Sequence, residues 1–456
     1  MTAPENLQEI PEDQTKTEDI VKTKDGLLIM QRILKTTDIT LKKLNNGAMI
    51  VGEKKRETRT VSLAFAFKVG SINENEKNNG ISHFIEHALF KGTNNRSSYD
   101  IKEPIERVGG TLNAYTGRIS TVYFAQVPYT HAQNTIEILY DMVRNPSFSE
   151  HEISTEKKVI LEEIAESYDD PVDLIYNKTL LKIWDKHYGK PVLGTTESVS
   201  TLNHISLSNY YNAHYTSNRL IFAVAGNYNN DFLEKAEALL QSFPQARELP
   251  APIAGSMKTI KEPIVERKKD LKQVHLLLSI KAPSRKDKDF EAFKIFNVLL
   301  GSGMSSILFH NIREKHGMVY SIGSEYIAYE NFGTLFIYAS TTPNNLQKLM
   351  DLLKIELKRI VNAGITNEEF RYGKERLKGK LMMATEGTLP ILSRQLDSVM
   401  TLGVAESTDD HIARIDKQDF VNTNEVIRNY LTSHWNTSLL VPETFELSFD
   451  ANFNIY

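Results

Sequence analysis

The 456-residue chain contains no cysteine. That absence excludes disulfide scaffolds, thiolate metal sites and cysteine nucleophiles, so any metal must sit on His, Asp or Glu. No run approaches the roughly 18 apolar residues that span a bilayer. Charge of one sign is also lacking, with 54 Lys and Arg against 58 Asp and Glu for a formal net charge of −4. Such a balance argues against a chain built to coat nucleic acid or an anionic membrane. The leader has neither the basic start and apolar centre of a secretory signal nor the acid-poor, Arg-rich character of a presequence. Its first twenty residues carry Glu5, Glu9, Glu12, Asp13, Glu18 and Asp19 against a lone Lys16. The expectation is a polar N-terminal tail over residues 1–37 on a cytoplasmic protein without nucleic-acid or membrane partners.

What remains is ordinary globular composition, 41% hydrophobic and 25% charged, in a chain too long for one core. Residues 39–44 and 48–53 alternate as strands around the Asn45-Asn46-Gly47 turn. Val61, Leu63, Phe65, Phe67 and Val69 recur at period two, with Ala64 and Ala66 between them, and predict a buried strand. Helices are predicted near 80–90, 131–144 and 151–167, a strand pair over 111–127, and a strand at 219–225. Pro244, Pro250, Pro252 and Pro263 mark 244–263 as an exposed linker. Beyond it the order repeats, with strands at 273–280 and 334–340 around a helix at 289–300.

Ser149–Ile164 and Thr366–Leu381 share a start signal, an acidic first turn and an apolar stripe, 217 residues apart. The expected fold class is therefore α+β: two homologous domains of roughly 200 residues, 38–243 and 264–456. Each is a mostly antiparallel β-sheet packed with α-helices. Two unrelated α+β domains are the alternative.

Residues 83–87 read His-Phe-Ile-Glu-His. On a helix, positions i and i+4 lie one above the other, so His83 and His87 can grip one ion. Glu86 projects near the same face and reaches a water at the metal without being a ligand. This is the inverted zincin arrangement, H-x-x-E-H. An open zinc site takes a third protein ligand. The helix 152–167 offers Glu152, Glu156, Glu162, Glu163 and Glu166, and periodicity alone does not choose among them.

These residues, the following Ala88-Leu89-Phe90-Lys91-Gly92-Thr93 and the run Val159–Ile164 together resemble the pitrilysin-type zinc metallopeptidases. That family includes insulin-degrading enzyme, the mitochondrial processing peptidase and small bacterial peptidases. The similarity runs from about residue 38 onward. It implies a Glu ligand 76 residues past the second His, here Glu163, and a supporting carboxylate seven residues earlier, here Glu156. Gly109–Thr116 resembles the family's substrate-binding edge strand, with Asn113 and Ala114 nearest the scissile bond. A strand of that kind reads an extended peptide through main-chain hydrogen bonds. Ile119 departs from the family, whose members commonly carry an acid there. Gly301–Ser306 and Arg313–Ser321 match in the second half, where the resemblance assigns Arg313 and Tyr320 to substrate carbonyls and the oxyanion. Taken alone, the glycine-rich stretch only weakly resembles a phosphate loop, since it lacks the P-loop Lys.

At the 217 offset Glu163 corresponds to Lys380, and the helix 289–300 has no His-x-x-Glu-His, so the second half is expected to lack metal ligands. The resemblance thus implies a metalloendopeptidase with one Zn²⁺ per chain on His83, His87 and Glu163, and Glu86 as general base. Manganese and cobalt suit the same donors. It also implies a homodimer enclosing a chamber that admits peptide substrates. The alternatives are the catalytic subunit of a hetero-oligomeric processing peptidase and a non-catalytic structural subunit.

Overall fold

The structure, a computed structural model, describes residues 20–22, 28–30, 38–246 and 253–455. Residues 1–37 form a unit of their own. Most of the expected polar tail lies outside the described residues. Within it, β1 (Ile20–Lys22) and β2 (Leu28–Met30) pair antiparallel, a strand pair that the polar-tail reading does not include.

The remainder, 38–456, is one compact unit. Its first half runs β3 (Asp38–Lys43), β4 (Met49–Lys54), β5 (Thr60–Phe67), α1 (Ile81–Leu89) and α2 (Ser98–Glu106). The hairpin β6 (Thr111–Thr116) and β7 (Thr121–Pro128) follows, then α3 (Ala132–Arg144), α4 (Glu150–Asp169) and α5 (Pro171–Ile183). Next come α6 (Thr196–Thr201), α7 (His204–His214), β8 (Leu220–Gly226) and α8 (Asn230–Gln241). The second half opens with β9 (Ile264–Lys268), β10 (Val274–Ala282), α9 (Phe290–Gly301), β11 (Val319–Ala328) and β12 (Gly333–Thr341). It closes with α10 (Leu346–Ala363), α11 (Asn367–Ala384), α12 (Thr388–Leu402), α13 (Thr408–Asp416), α14 (Phe420–Leu431) and β13 (Asn436–Pro442).

Two sheets result, ordered β3-β4-β8-β5-β7-β6 and β9-β13-β10-β12-β11. Apart from the extra edge strand β3 they match strand for strand, including a single parallel pair each, β4 with β8 and β9 with β13. Helices α4 and α11 begin at residues 150 and 367, the offset expected for a duplication. Two α+β domains of one design, with antiparallel-rich sheets, are therefore present.

The period-two pattern of β5 shows how the layers are built. Val61, Leu63, Phe65 and Phe67 point into the core beneath α1, α3 and α4. On the opposite face Ala64 and Ala66 join Ala223 and Ala225, a flat surface of small side chains. A helix can approach such a surface closely, and the one that does is α12, through Ile391, Leu392, Leu396 and Val399. Its counterpart α5 does the reverse and packs on β10 and β13 of the second sheet. The halves thus exchange one helix each. Trp184 completes the second contact, burying its ring against Phe332 and Phe336 and donating its Nε1–H to Thr334 Oγ1 at 3.0 Å. The described parts of the expected linker, 244–246 and 253–263, are mostly exposed, and the second is anchored beside Trp184 by Met257.

Candidate metal centre

Helix α1 starts at Gly80, whose φ of +91° and near contact with the Leu193 carbonyl leave no room for a side chain. Having no side chain, Gly80 cannot cap the helix. Glu74 does so from the preceding loop: its buried carboxylate accepts from the Gly80 and Ser82 N–H groups at 2.8 and 2.9 Å, and from Asn79 Nδ2. Placing an anion at the positive end of a helix is favourable and fixes the orientation of α1. The sequence reading missed Glu74, because nothing local marks a cap supplied six residues ahead of the helix.

One turn into α1, His83 is buried and His87 half-buried, with ring centroids 4.5 Å apart. Glu163 reaches them from α4. Its Oε2 lies 3.8 Å from His83 Nε2 and 3.6 Å from His87 Nε2. These separations exceed a hydrogen bond and lie a little over the roughly 3.3 Å edge between ligands sharing an ion at about 2.0–2.1 Å. Among the described residues these three form the one group of this kind whose donor atoms converge, all within 4.8 Å of one another. Two imidazoles and a carboxylate, without thiolate, suit zinc in an open site.

The surrounding groups act on the two rings in opposite directions. Burial, reinforced by the His87 charge, pushes His83 down to about 3, so this ring is neutral and its nitrogen lone pair is free. His87 Nδ1 lies 2.7 Å from Glu156 Oε1, which directs Nε2 toward Glu163. Burial lowers His87, but the Glu156 hydrogen bond and the Glu163 and Glu86 charges more than offset it, and the net shift is upward. Glu156 itself is buried on α4 and also pairs with Lys91. Burial raises Glu156, yet the His87 and Lys91 bonds carry it below the ordinary carboxylate range. Of the other acids on α4, Glu162 and Glu166 face solvent.

Glu86 turns from the ligand pair toward β6, where its Oε2 accepts from Thr116 Oγ1 at 2.5 Å. Burial raises its carboxyl, and the Thr116 bond and His87 oppose that rise. β6 is the sheet's free edge, paired only with β7. Asn113 is exposed on it, and its Oδ1 accepts from the Ala114 N–H at 2.8 Å. Ile119, where the resemblance leads one to expect an acid, packs against the aromatic cluster around Trp184.

Arg313 and Tyr320 stand apart from this group. Arg313 lies in a π-helical turn, Phe309–Glu314, with its guanidinium 4.7 Å from the Phe309 ring centroid. Tyr320 is the extra residue where the β11–β12 register shifts between Val319 and Ser321, and it is 63% exposed. Among the described residues no hydrogen bond or ion pair links either side chain to His83, His87, Glu86 or Glu163.

Residues 49–196 match the family profile described as insulinase, peptidase family M16, and residues 201–377 match the peptidase M16 inactive domain. An uncharacterized zinc protease of Bacillus subtilis is 33% identical over 87% of this chain and 97% of its own. The chain belongs to peptidase family M16. A further relative, an uncharacterized zinc protease of Streptomyces coelicolor, is 31% identical over 94% of this chain and 93% of that one. A Helicobacter pylori protease of known structure superposes with a TM-score of 0.81 at 21% identity, covering 89% of this chain and all of that one. A putative M16-like peptidase from Alicyclobacillus acidocaldarius gives 0.75 at 18% identity over 89% of this chain and 99% of that one. At those identities the structures speak for the M16 fold. Among the described residues no helix is long and apolar enough to cross a membrane.

Proposed function

We propose that this chain is a zinc-dependent endopeptidase that hydrolyses peptides and short unfolded polypeptides in a chamber enclosed by two copies. The observation that carries this reading is the convergence of His83, His87 and Glu163 within 4.8 Å, with Glu86 on the same helix as the two histidines. The zinc-protease names of relatives more than 30% identical support it.

His83, His87 and Glu163 hold the ion, and Glu156 fixes the His87 ring so that Nε2 is the ligand atom. A divalent ion there supplies Lewis acidity toward water and the scissile carbonyl. Glu86, with Oε2 held by Thr116, keeps Oε1 for proton work. It accepts a proton from the attacking water and delivers it to the leaving amine. The free edge of β6 receives the extended substrate backbone near Asn113 and Ala114, once the Asn113 side chain releases the Ala114 N–H. Arg313 and Tyr320 donate to substrate carbonyls and to the developing oxyanion. Both are exposed and unengaged with the cluster of their own chain, which suits donation into the site of a second copy.

The test is metal analysis of the purified chain alongside a chelator-sensitive assay on a quenched peptide, with gel filtration for the dimer. One zinc per chain and activity that returns on adding zinc are expected. A protein that takes up no metal ends the reading.

A further inference from the structure

The duplicated scaffold places a second helix pair, α9 and α11, where the first half has α1 and α4. Its chemistry is inverted. Lys380 occupies the position of Glu163, and four residues before it Arg376 lies on the same face of α11. Both reach the loop Gly301–Ser306 after α9. Lys380 Nζ donates to Ser302 Oγ at 2.6 Å, and Arg376 Nη1 donates to Ser305 Oγ at 3.3 Å. Tyr372, a further turn back, shares a 2.6 Å hydrogen bond with Ser305.

The loop is shaped to admit the guanidinium. Gly303 has a φ of +90°, and a Cβ there would sit 2.4 Å from Arg376 Nη2. Of the other cations of α11, Lys374 and Lys378 pair with Asp416, and Lys378 also with Glu375, while Arg371 lies five residues before Arg376 and outside this loop contact. Arg376 and Lys380 have no carboxylate partner among the described residues, only serine hydroxyls. Two like charges one turn apart repel each other, and a bound anion removes that penalty. Met304 in that loop and Met383, three residues past Lys380 on the same face of α11, are 75% and 79% exposed. Flexible thioethers make an adaptable apolar surface for side chains of varied shape.

We infer that Arg376 and Lys380, with Met304 and Met383 beside them, bind the C-terminal carboxylate of a peptide. The second domain thereby selects chain ends where the first cleaves. A planar guanidinium matches a carboxylate, and the neighbouring ammonium adds charge without demanding one geometry. The inference rests on the proposed peptidase reading for its biological meaning, though not for its measurement.

The experiment uses the full-length E86Q chain and fluorescence anisotropy, so that peptides bind without being cut. One labelled peptide is prepared with a free C-terminus, with an amidated C-terminus, and amidated with a penultimate Glu. The free acid is expected to bind about tenfold tighter than either amide, the scale of one charge-assisted hydrogen bond. In R376Q/K380Q that preference vanishes while the amide binds unchanged. K380Q alone reduces it, which covers the case of a double variant that does not fold. Salt near 1 M suppresses the preference in the parent protein.

Equal binding of acid and amide, or a preference that survives R376Q/K380Q, overturns the inference. Tight binding of the penultimate-Glu amide overturns the assignment to a chain end. A chain with no peptidase activity that still prefers the free acid keeps the site and loses the enzyme. An active enzyme indifferent to amidation does the opposite.

Discussion

His87 places its Nδ1 2.7 Å from Glu156 Oε1, and the same ring holds Nε2 3.6 Å from Glu163 Oε2. One imidazole is thus fixed on one side by a carboxylate that orients it and faces, on the other, a carboxylate that would share its metal. Both acids lie on α4, two turns apart, so a single helix supplies the ligand and the support. Substituting Glu156→Gln is expected to weaken zinc affinity by about 10- to 100-fold. Hydrolysis should be recoverable at saturating zinc. Competition with a chelator of known affinity measures this, and unchanged affinity would show that packing alone holds the ring.

Glu86→Gln should leave zinc content at one per chain while lowering kcat by roughly two to four orders of magnitude, the usual weight of a general base. Elemental analysis and a quenched-peptide assay on the same preparation give both numbers. An active Glu86→Gln protein would remove Glu86 from the proton path.

Complementation tests the proposed dimer. Glu86→Gln and Tyr320→Phe proteins, each impaired alone, should recover activity once mixed and exchanged, because one subunit of a hybrid can join an intact metal site to an intact Tyr320. Subunit exchange followed by no recovery would place Tyr320 in the site of its own chain.

The exchange of α5 and α12 predicts that the two halves unfold together. Trp184 is 1% exposed at the contact with the second sheet. Trp184→Ala should cost about 3–5 kcal/mol, the range for a buried aromatic, in one urea transition reported by both halves. Two separated transitions would mean that the swapped helices do not couple them.

Acid should destabilise the second half at an identifiable cluster. Burial would raise the Glu291 carboxyl, but the His411 hydrogen bond and the Lys294 and Arg414 charges hold it at about 2, against its ordinary 4.5. A depressed acid contributes stability that is fully present above about pH 4.5 and lost as pH falls toward 2, on the order of 3 kcal/mol here. Burial lowers His411 from 6.5, which adds a loss of the same sign starting at higher pH. Thermal unfolding followed from pH 7 down to 2 should steepen over this window, and Glu291→Gln should flatten the lower part.

What the sequence determined by itself was local or repeated. The adjacency of His83, Glu86 and His87 follows from 3.6 residues per turn, the strand at 60–67 from its period-two apolar pattern, and the strand at 220–226 from a continuous apolar run. The duplication was legible because α4 and α11 each open on a hydroxyl residue followed by acids, although only Thr366 makes the capping bond and Ser149 does not. Tertiary structure decided the rest. It brought Glu163, of the five acids on the predicted helix 152–167, to the histidine pair, since periodicity places residues on a helix face and leaves the neighbour of that face unspecified. It set Thr116 against Glu86, put Glu74 at the start of α1, and laid α12 on the alanine face of the first sheet. Each of those contacts depends on which surfaces meet after the chain has folded back on itself, and no short-range period in a sequence encodes that.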